Sequence, residues 1–443
     1  MLRRIQIRGF KSFDKLDLTL QRLSVLFGPN AAGKSNLLDA LQLLSRLATV
    51  RTLKDAFESP YRGNPLESFS FGPNGIRDLL GQNVATFSIE VDVELSPAVI
   101  RKVNRQVWEM KKGEAGKKST KEDQKPKEYV TERHLRYGVA LNIRPKSGIL
   151  QVRNEYLTAL SSQWRKKKSR RPFLEKSEDR LHLRMEGQAH PRYHDVGLDH
   201  TILSLPLYPP HYPHMVAMRE ELASWSFFYF EPRERMRAKG PVREVRHIGM
   251  MGEDLAAYLN TLRAVNERQY KAIGRALHQI IPSITGIDVD VSDLGEVELK
   301  LLEGNTPIPA RVVSEGSLRT LGFLALASAQ DPPALIGFEE PENGIHPRRI
   351  RLISELLRTT ADDPSTQVIA TTHSPTLLDQ MPAESLYVCR KKNQRTVIEP
   401  FSPTWELGRK GEIRNALDAE ERDVDTGEEP KLSTRILRGD FDD

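Results

Sequence analysis

The eight residues GPNAAGKS, Gly28–Ser35, constrain the fold more than any other stretch of the chain. They match the pattern G-x-x-x-x-G-K-[ST], they follow the apolar run 23–27, and leucines spaced three or four residues apart come after them. The pattern requires a buried strand, a glycine-rich turn and a helix, because the N–H groups at the start of that helix face a phosphate. The motif therefore predicts an α/β fold that binds a nucleoside triphosphate.

The residues of this loop have predicted roles in binding ATP. Lys34 can reach the β- and γ-phosphates and assist the reaction, and the Ser35 hydroxyl can ligate Mg²⁺. The glycines let the backbone curl so that successive N–H groups face a phosphate. The predicted nucleotide contacts in this segment are Gly28, Asn30, Gly33, Lys34, Ser35 and Asn36.

Three carboxylates follow a second apolar run, 334–338, in the stretch PALIGFEEPENGIHPRR. Because carboxylates so close to one another repel, their clustering indicates a cation or a reacting water between them. Glu339 is predicted in the Mg²⁺ shell, directly or through water, and Glu340 as the general base for the attacking water. Glu342 is interpreted as a structural acid. The alternative for the whole cluster is an acidic loop that caps the next helix.

Two further segments complete the predicted site. The stretch QVIATTHSP places His373 at the end of an apolar strand, where its ring can hydrogen-bond the γ-phosphate or the water. The stretch VVSEGSLRTL places Ser314, Gly316 and Ser317 at the start of a helix, as a second set of donors for an anion. One nucleotide does not need two such sets. Two chains are therefore expected to face each other head-to-tail, each closing the other's site.

The net charge of +6 is unevenly distributed. Between Arg101 and Met185, 24 Lys and Arg stand against 10 Asp and Glu, whereas from Ala416 to Asp443 there are 10 acidic and 4 basic residues. The basic middle, which includes RKKKSRR at Arg165–Arg171, could meet DNA, or it could be a solvated loop. A flexible loop is predicted near 110–130, where lysines are dense.

The composition excludes several classes of protein. No run of about 18 apolar residues is present, so no membrane span is expected. The first ten residues, MLRRIQIRGF, lack the apolar segment of a secretory signal. A single cysteine, Cys389, excludes an internal disulfide framework and a cysteine-cluster metal site. A cytoplasmic protein is expected.

The order of these motifs resembles that of the ABC-type ATPase superfamily, in the non-transporter branch that includes SMC and RecF proteins. IRGFKSF followed by FGPNAAGKSNLLDAL resembles the start of SMC and RecF-like heads, and VSEGSLRTL resembles the ABC signature. LIGFEEPENGIHP resembles the Walker B motif and D-loop, and ATTHSP the segment with the switch histidine. FEEPENGIHP is especially similar to the OLD-like, AAA-family ATPases of bacterial antiphage defence.

The chain departs from the pattern of these families at several positions. Glu339 stands where many ABC proteins have Asp, and the signature reads S-E-G-S instead of S-G-G-Q. No clear Q-loop is present, and Gln82 is a weak candidate for its glutamine. The segment ESLYVCRKKNQRTVIEPF is interpreted as two closing strands instead of the Toprim nuclease domain that follows the ATPase in OLD proteins.

The resemblance implies an ABC-type ATPase head with a central mixed sheet flanked by helices and an inserted α+β or helical lobe. The expected division is 1–100 for the first part of the ATPase core, 101–240 for the inserted basic lobe and 241–400 for the second part of the core. A tail, 401–443, follows and is acidic from 416.

The resemblance also implies a function that uses ATP and Mg²⁺. The expected protein is a homodimer, or a larger assembly, that closes on ATP and controls a separately encoded effector. By analogy with defence systems, that effector would be a nuclease. The alternative is a RecF- or SMC-like ATPase that binds DNA through the basic lobe in repair or chromosome maintenance. The inserted lobe and the SMC-like ends argue against a transporter subunit.

Overall fold

The computed structural model describes residues 1–114, 128–188, 190–329 and 332–401. The helices in these ranges are α1 (Lys34–Thr49), α2 (Leu53–Ala56), α3 (Ile76–Leu80), α4 (Pro97–Glu114), α5 (Pro213–Ala223), α6 (Leu255–Val265), α7 (Glu267–Ile280), α8 (Glu315–Ala327), α9 (Ile350–Asp362) and α10 (Pro375–Leu378). The strands up to residue 195 are β1 (Leu2–Phe10), β2 (Phe13–Thr19), β3 (Leu23–Phe27), β4 (Ala85–Glu94), β5 (His134–Arg144), β6 (Ile149–Ala159), β7 (Leu174–Ser177), β8 (Arg180–Arg184) and β9 (Pro191–Asp195). The later strands are β10 (Trp225–Phe228), β11 (Gly240–Pro241), β12 (Gly286–Val291), β13 (Glu296–Glu303), β14 (Thr306–Pro309), β15 (Leu335–Glu339), β16 (Gln367–Thr372), β17 (Leu386–Lys392) and β18 (Arg395–Pro400).

The strands form three sheets. An eight-stranded antiparallel sheet has the order β2-β1-β4-β5-β6-β7-β8-β9. A six-stranded sheet has the order β10-β15-β16-β3-β17-β18 and is parallel except for β18, which runs antiparallel to β17. A smaller antiparallel sheet has the order β11-β13-β12, with β14 also paired to β13.

The six-stranded sheet lies between two apolar cores. Because successive side chains of a strand point to opposite faces, β3 contributes Leu26 to one core and Val25 and Phe27 to the other. The first core also contains the inward side chains of the eight-stranded sheet and of α1, α4 and α5. The second contains those of α6, α7, α8 and α9. A sheet covered on both faces explains why β3, β15 and β16 read as nearly continuous apolar runs.

The order of the six-stranded sheet determines where the predicted site lies. Strand β16 pairs in parallel with β15 on one side and with β3 on the other. The carboxyl ends of these three strands therefore lie side by side at one edge of the sheet, which is where open α/β sheets bind ligands. The loop after β3, the carboxylates after β15 and the histidine after β16 are brought together by this pairing alone.

The fold confirms the predicted α/β class, and it differs from the expected division of the chain in two respects. Strands β5 to β9 belong to the same eight-stranded sheet as β1 and β4. The middle of the chain therefore extends this sheet and does not form a separate inserted lobe. Strand β10, Trp225–Phe228, pairs with β15, so the chain returns to the six-stranded sheet before residue 241. A four-residue apolar strand has no periodicity that separates it from the helical residues around it.

Two charge-based predictions fall largely outside the described residues. Helix α4 continues to Glu114, so the first residues of the loop predicted near 110–130 are helical, and 115–127 lie outside the described ranges. The acidic tail from Ala416 also lies outside them. Within the described part of the chain, no helix combines the length and the apolar character needed to cross a membrane.

Gln367, the first residue of β16, joins the two large sheets through its side-chain amide. Its Oε1 accepts a hydrogen bond from the Leu2 N–H at 2.7 Å, and its Nε2 donates to Leu2 O at 2.9 Å and to Gln21 O at 2.8 Å. The side chain is almost completely buried. The amide therefore links the start of β1 to the central strand of the site.

We expect Gln367→Leu to lower the free energy of unfolding by about 2 kcal/mol or more, because buried backbone groups lose their partners. Chemical denaturation followed by circular dichroism measures the change. Gln163→Leu, at an exposed loop position, is the matched control and should have little effect. Equal stability of the two variants would contradict the bridging role of Gln367.

Candidate nucleotide-binding site

The loop Gly28–Ser35, here called the phosphate loop, has a backbone that only glycine permits at two positions. Gly28 has φ 146°, and a Cβ there would lie 1.9 Å from the carbonyl oxygen of Cys389. Gly33 has φ 99°, and a Cβ there would lie 2.2 Å from Thr396 Oγ1. Strands β17 and β18 thus press directly against the loop and fix its curvature, which explains the two glycines of the motif.

Lys34 begins α1 and is only 5% exposed. Its Nζ donates to the carbonyl oxygens of Gly28 at 2.8 Å and Pro29 at 2.9 Å, and lies 3.3 Å from His373 Nδ1. Burial lowers the pKa of Lys34, although the nearby carboxylates oppose this effect. The ammonium group lies inside the curl of the phosphate loop, as required of a cation that binds a phosphate.

The Ser35 hydroxyl donates to the Glu339 carboxylate, so the two predicted metal ligands meet. Arg62 lies 3.2 Å from Glu339 and 3.0 Å from Asp39, and Lys11 Nζ lies 2.7 Å from Asp39. These two cations neutralise the two acids in this chain. Sequence analysis did not identify Arg62, Asp39 or Lys11 as site residues. Lys11 lies in IRGFKSF, but Arg62 lies in a loop with no recognisable pattern.

A hydrogen bond joins the Glu340 carboxylate to the His373 ring, with 3.0 Å between Oε1 and Nε2. Burial and the Lys34 ammonium lower the pKa of His373, and Glu340 opposes them. Because the ammonium can only donate, Nδ1 of the neutral ring accepts from Lys34 and Nε2–H donates to Glu340. Glu340 has φ 47°, a left-handed conformation, and its N–H donates to Thr371 O at 3.0 Å. This conformation directs the chain away from β15 immediately after the metal-shell position.

Glu342, in the loop after β15, is buried and contacts the end of β16. Its carboxylate accepts hydrogen bonds from the Thr372 hydroxyl and from the N–H groups of His373 at 3.2 Å and Ser374 at 3.3 Å. Burial raises the pKa of Glu342, and these donors oppose the shift. The contacts support the interpretation of Glu342 as a structural acid, since it anchors the turn that carries His373.

The second predicted set of anion donors lies at the start of α8. Ser314 caps this helix, its Oγ accepting from the Ser317 N–H at 3.2 Å. A Cβ at Gly316 would lie 2.5 Å from Gly344 O, so this helix start packs closely on the loop after β15. Within the described residues, Ser314, Gly316 and Ser317 make no hydrogen bond to the phosphate loop. Their role towards a second chain remains a prediction.

Among the described residues, three polar side chains that the sequence proposed for the site form no hydrogen bond to the groups described above. They are Asn30, Asn36 and Gln82. The Asn36 amide donates to Ser12 Oγ at 2.7 Å, which ties α1 to the turn between β1 and β2. Asn30 is exposed at the tip of the phosphate loop. Gln82 is exposed in the loop after α3, and the structure gives it no side-chain hydrogen bond that would support a Q-loop role.

The residues fit a bound triphosphate with a divalent cation. The Ser35 hydroxyl and the Glu339 carboxylate carry hard oxygen donors of the kind that Mg²⁺ prefers, and phosphate oxygens and waters would complete an octahedral shell. Among the described residues, the buried Lys34 ammonium has two carbonyl oxygens and a ring nitrogen within hydrogen-bonding distance, and no carboxylate. A buried cation with neutral partners is a strong site for an anion such as a phosphate.

The comparison with protein families assigns the chain. Residues 23–100 and 212–379 match the family described as "AAA domain, putative AbiEii toxin, Type IV TA system". The match covers more than half of the 443 residues. The chain belongs to this AAA family. The two matched segments contain every predicted site residue, with the basic middle between them.

Two curated proteins share short segments with this chain. The chromosome partition protein Smc of Desulfitobacterium hafniense (strain Y51) is 39% identical over 82 residues, 18% of this chain and 6% of that protein. The uncharacterized protein YbjD of Escherichia coli (strain K12) is 52% identical over 44 residues, 10% of this chain and 8% of that protein. The chain thus matches less than a tenth of the length of either relative.

A solved structure shows a similar fold. An Smc head bound to the C-terminal winged-helix domain of ScpA superposes with a TM-score of 0.50 and 11% identity, over 91% of this chain and 98% of that one. This similarity confirms the predicted SMC-head-like fold.

Proposed function

We propose that this chain binds and hydrolyses ATP with Mg²⁺ in a pocket shared by two copies arranged head-to-tail. The observation that carries the proposal is the convergence of Lys34, Ser35, Glu339, Glu340 and His373 at one edge of the six-stranded sheet. The donors at the start of α8 make no hydrogen bond to that group within the described chain. A second copy supplies the simplest use for them.

Each side chain has one task in this reaction. Lys34 and the N–H groups of the phosphate loop bind the phosphates. Glu340 takes the proton of the attacking water, and the His373 Nε2–H holds the Glu340 carboxylate in place. Mg²⁺ held by Ser35 and Glu339 would neutralise the charge that develops on the phosphate oxygens. The buried surroundings of Lys34 strengthen its attraction to the phosphates.

We propose further that opening and closing of the dimer controls a separately encoded effector, such as a nuclease acting in antiphage defence. Two observations support this role. The description of the chain's family names a putative AbiEii toxin and a type IV TA system. The FEEPENGIHP stretch resembles ATPases of defence systems. Purification from the native host tests the role. A second protein should be recovered in stoichiometric amount, and full biological activity of this chain alone would contradict it.

A second candidate function, DNA binding, is favoured by the loop at Arg165–Arg171. Lys167 and Arg170 of this loop pair with Glu132, at 2.7 and 3.3 Å. Four other cations of the loop are exposed and form no ion pair among the described residues: Arg165, Lys166, Lys168 and Arg171. Exposed cations without partners are available to phosphate groups.

Replacing these four cations by Gln should weaken DNA binding and reduce the slope of log affinity against log salt concentration by about 0.9 for each phosphate that the loop no longer neutralises. Fluorescence anisotropy at several salt concentrations measures both quantities. The matched control is Gln substitution of four exposed cations located elsewhere, Lys15, Arg268, Arg275 and Arg358. An unchanged salt slope would exclude this loop as the DNA-binding surface.

We expect Lys34→Ala to abolish ATP binding and Glu340→Gln to retain it. The amide of Gln cannot accept the proton, so hydrolysis should fall by a factor on the order of 10² to 10⁴ while the ATP-bound dimer accumulates. Phosphate release, ATP titration and light scattering measure the three properties. Glu355→Gln, at an exposed position on α9, is the control. Normal turnover by Glu340→Gln would remove Glu340 as the base.

We expect Ser314→Arg to block hydrolysis without weakening ATP binding by the separate chain. The substituted side chain would fill the face that receives the partner's phosphates, while the phosphate loop is untouched. ATP titration at low protein concentration isolates the binding step, and phosphate release at high concentration reports the shared site. Hydrolysis at the rate of the unsubstituted protein would refute the shared pocket.

A further inference from the structure

One buried arginine on α8 has no hydrogen-bond or ion-pair partner among the described residues, although carboxylates lie close enough to act on its charge. Arg319 on α8 is only 9% exposed, and its Nε is buried without an acceptor. The guanidinium packs against the loop after β15, with Nε 3.8 Å from the position that a Cβ at Gly344 would occupy. No hydrogen bond or ion pair of this side chain occurs among the described residues. A buried charge without a partner is unfavourable, so its presence indicates a state in which an anion reaches it.

Three carboxylates act on the charge of Arg319, those of Glu315, Glu231 and Glu340, and Glu315 is the one on the same helix. It precedes Arg319 by four residues on α8, and a Glu located four residues before a cation is the favourable arrangement on a helix. In this structure, however, Glu315 Oε1 pairs at 2.8 Å with Arg233, whose side chain is 76% exposed. Exposed pairs of this kind contribute little to stability. Glu315 therefore has two cations with which it can pair. It pairs with the exposed Arg233 in this structure, and the buried Arg319 is the alternative.

The position of Glu315 gives a reason for the carboxylate to change partner. It follows Ser314 directly, at the helix start that the proposed dimer presents to the partner's triphosphate, and its side chain is 37% exposed. A triphosphate arriving there would repel the carboxylate. This also accounts for the S-E-G-S sequence. A glutamate at its second position is compatible with an anion site only if the carboxylate can pair with a cation that lies away from the anion.

We propose that Glu315 is a charge switch. It pairs with Arg233 in the separate chain, and it pairs with Arg319 when the partner's triphosphate reaches Ser314. Arg233, released by this exchange, then contacts the same triphosphate. The inference rests on the proposed shared pocket and names the residues that sense its closure.

The test measures the ATP concentration that gives half-maximal dimerisation, by light scattering, in protein carrying Glu340→Gln so that ATP is not consumed. Arg319→Met should raise this concentration about tenfold, because the Glu315 carboxylate repelled by the triphosphate has lost the cation with which it would pair. ATP affinity of the separate chain should not change. Arg319→Lys should preserve most of the response, and Arg275→Met, at an exposed position on α7, is the control.

The decisive variant is the combination of Arg319→Met with Glu315→Gln. Without the Glu315 carboxylate, no negative charge has to move away from the triphosphate and Arg319 is not needed. Dimerisation should therefore return to the level of the parent protein. Arg233→Gln should weaken dimerisation in the same way, but Glu315→Gln should not restore it, because the cation that meets the phosphate is itself removed. The midpoint of thermal unfolding of Arg319→Met without nucleotide should be unchanged or higher, since an apolar side chain replaces a buried charge.

The possible failures are distinguishable. If the parent protein stays a separate chain at saturating ATP, both the shared pocket and the switch are wrong. If it dimerises but Glu315→Gln does not restore Arg319→Met, the switch alone is wrong. A lower unfolding midpoint for Arg319→Met would show that the arginine stabilises the resting fold, and would also overturn the switch.

Discussion

The parallel pairing of β16 with β3 on one side and β15 on the other is the constraint on which the whole site depends. It aligns three carboxyl ends, and each end carries one part of the chemistry: the phosphate loop, the carboxylates and His373. Gln367 ties the start of β16 to β1, and Glu342 ties its end to the turn of His373. The central strand is therefore fixed at both ends by buried polar contacts, so the distances at the site follow from the fold.

The two acids at this edge, Glu339 and Glu340, each have a partner in this structure. Glu339 is near Arg62, and Glu340 is near His373. Lys34 has carbonyl oxygens as acceptors, and Arg319 has no acceptor in the described chain. Among the described residues, neither of these two buried cations has a carboxylate as a hydrogen-bond partner, which is the electrostatic character expected of a site that receives an anion.

The sequence predicted those parts of the fold and site that depend on local patterns. The phosphate loop and the runs before Glu339 and His373 are contiguous signals, and the helices and strands around them occur where the spacing indicated. Arg62 and Asp39 could not be predicted, because their meeting with Glu339 is a tertiary contact without periodicity. The extension of the large sheet through β5 to β9 was missed for the same reason, since sheet membership depends on pairing between distant segments.

Cross-linking between two copies tests the central claim, a pocket shared head-to-tail, most directly. Burial raises the pKa of the lone Cys389 thiol to about 12, so it does not compete with introduced cysteines. The experiment uses two Glu340→Gln chains, one with Ala31→Cys and the other with Val312→Cys, and a short bismaleimide as the cross-linker. Ala31 is exposed on the phosphate loop, and Val312 is exposed two residues before Ser314. The account predicts a covalent dimer in the mixture with ATP and Mg²⁺, and far less for either chain alone or without ATP. A mixture that cross-links no better than its separate components at saturating ATP would contradict it.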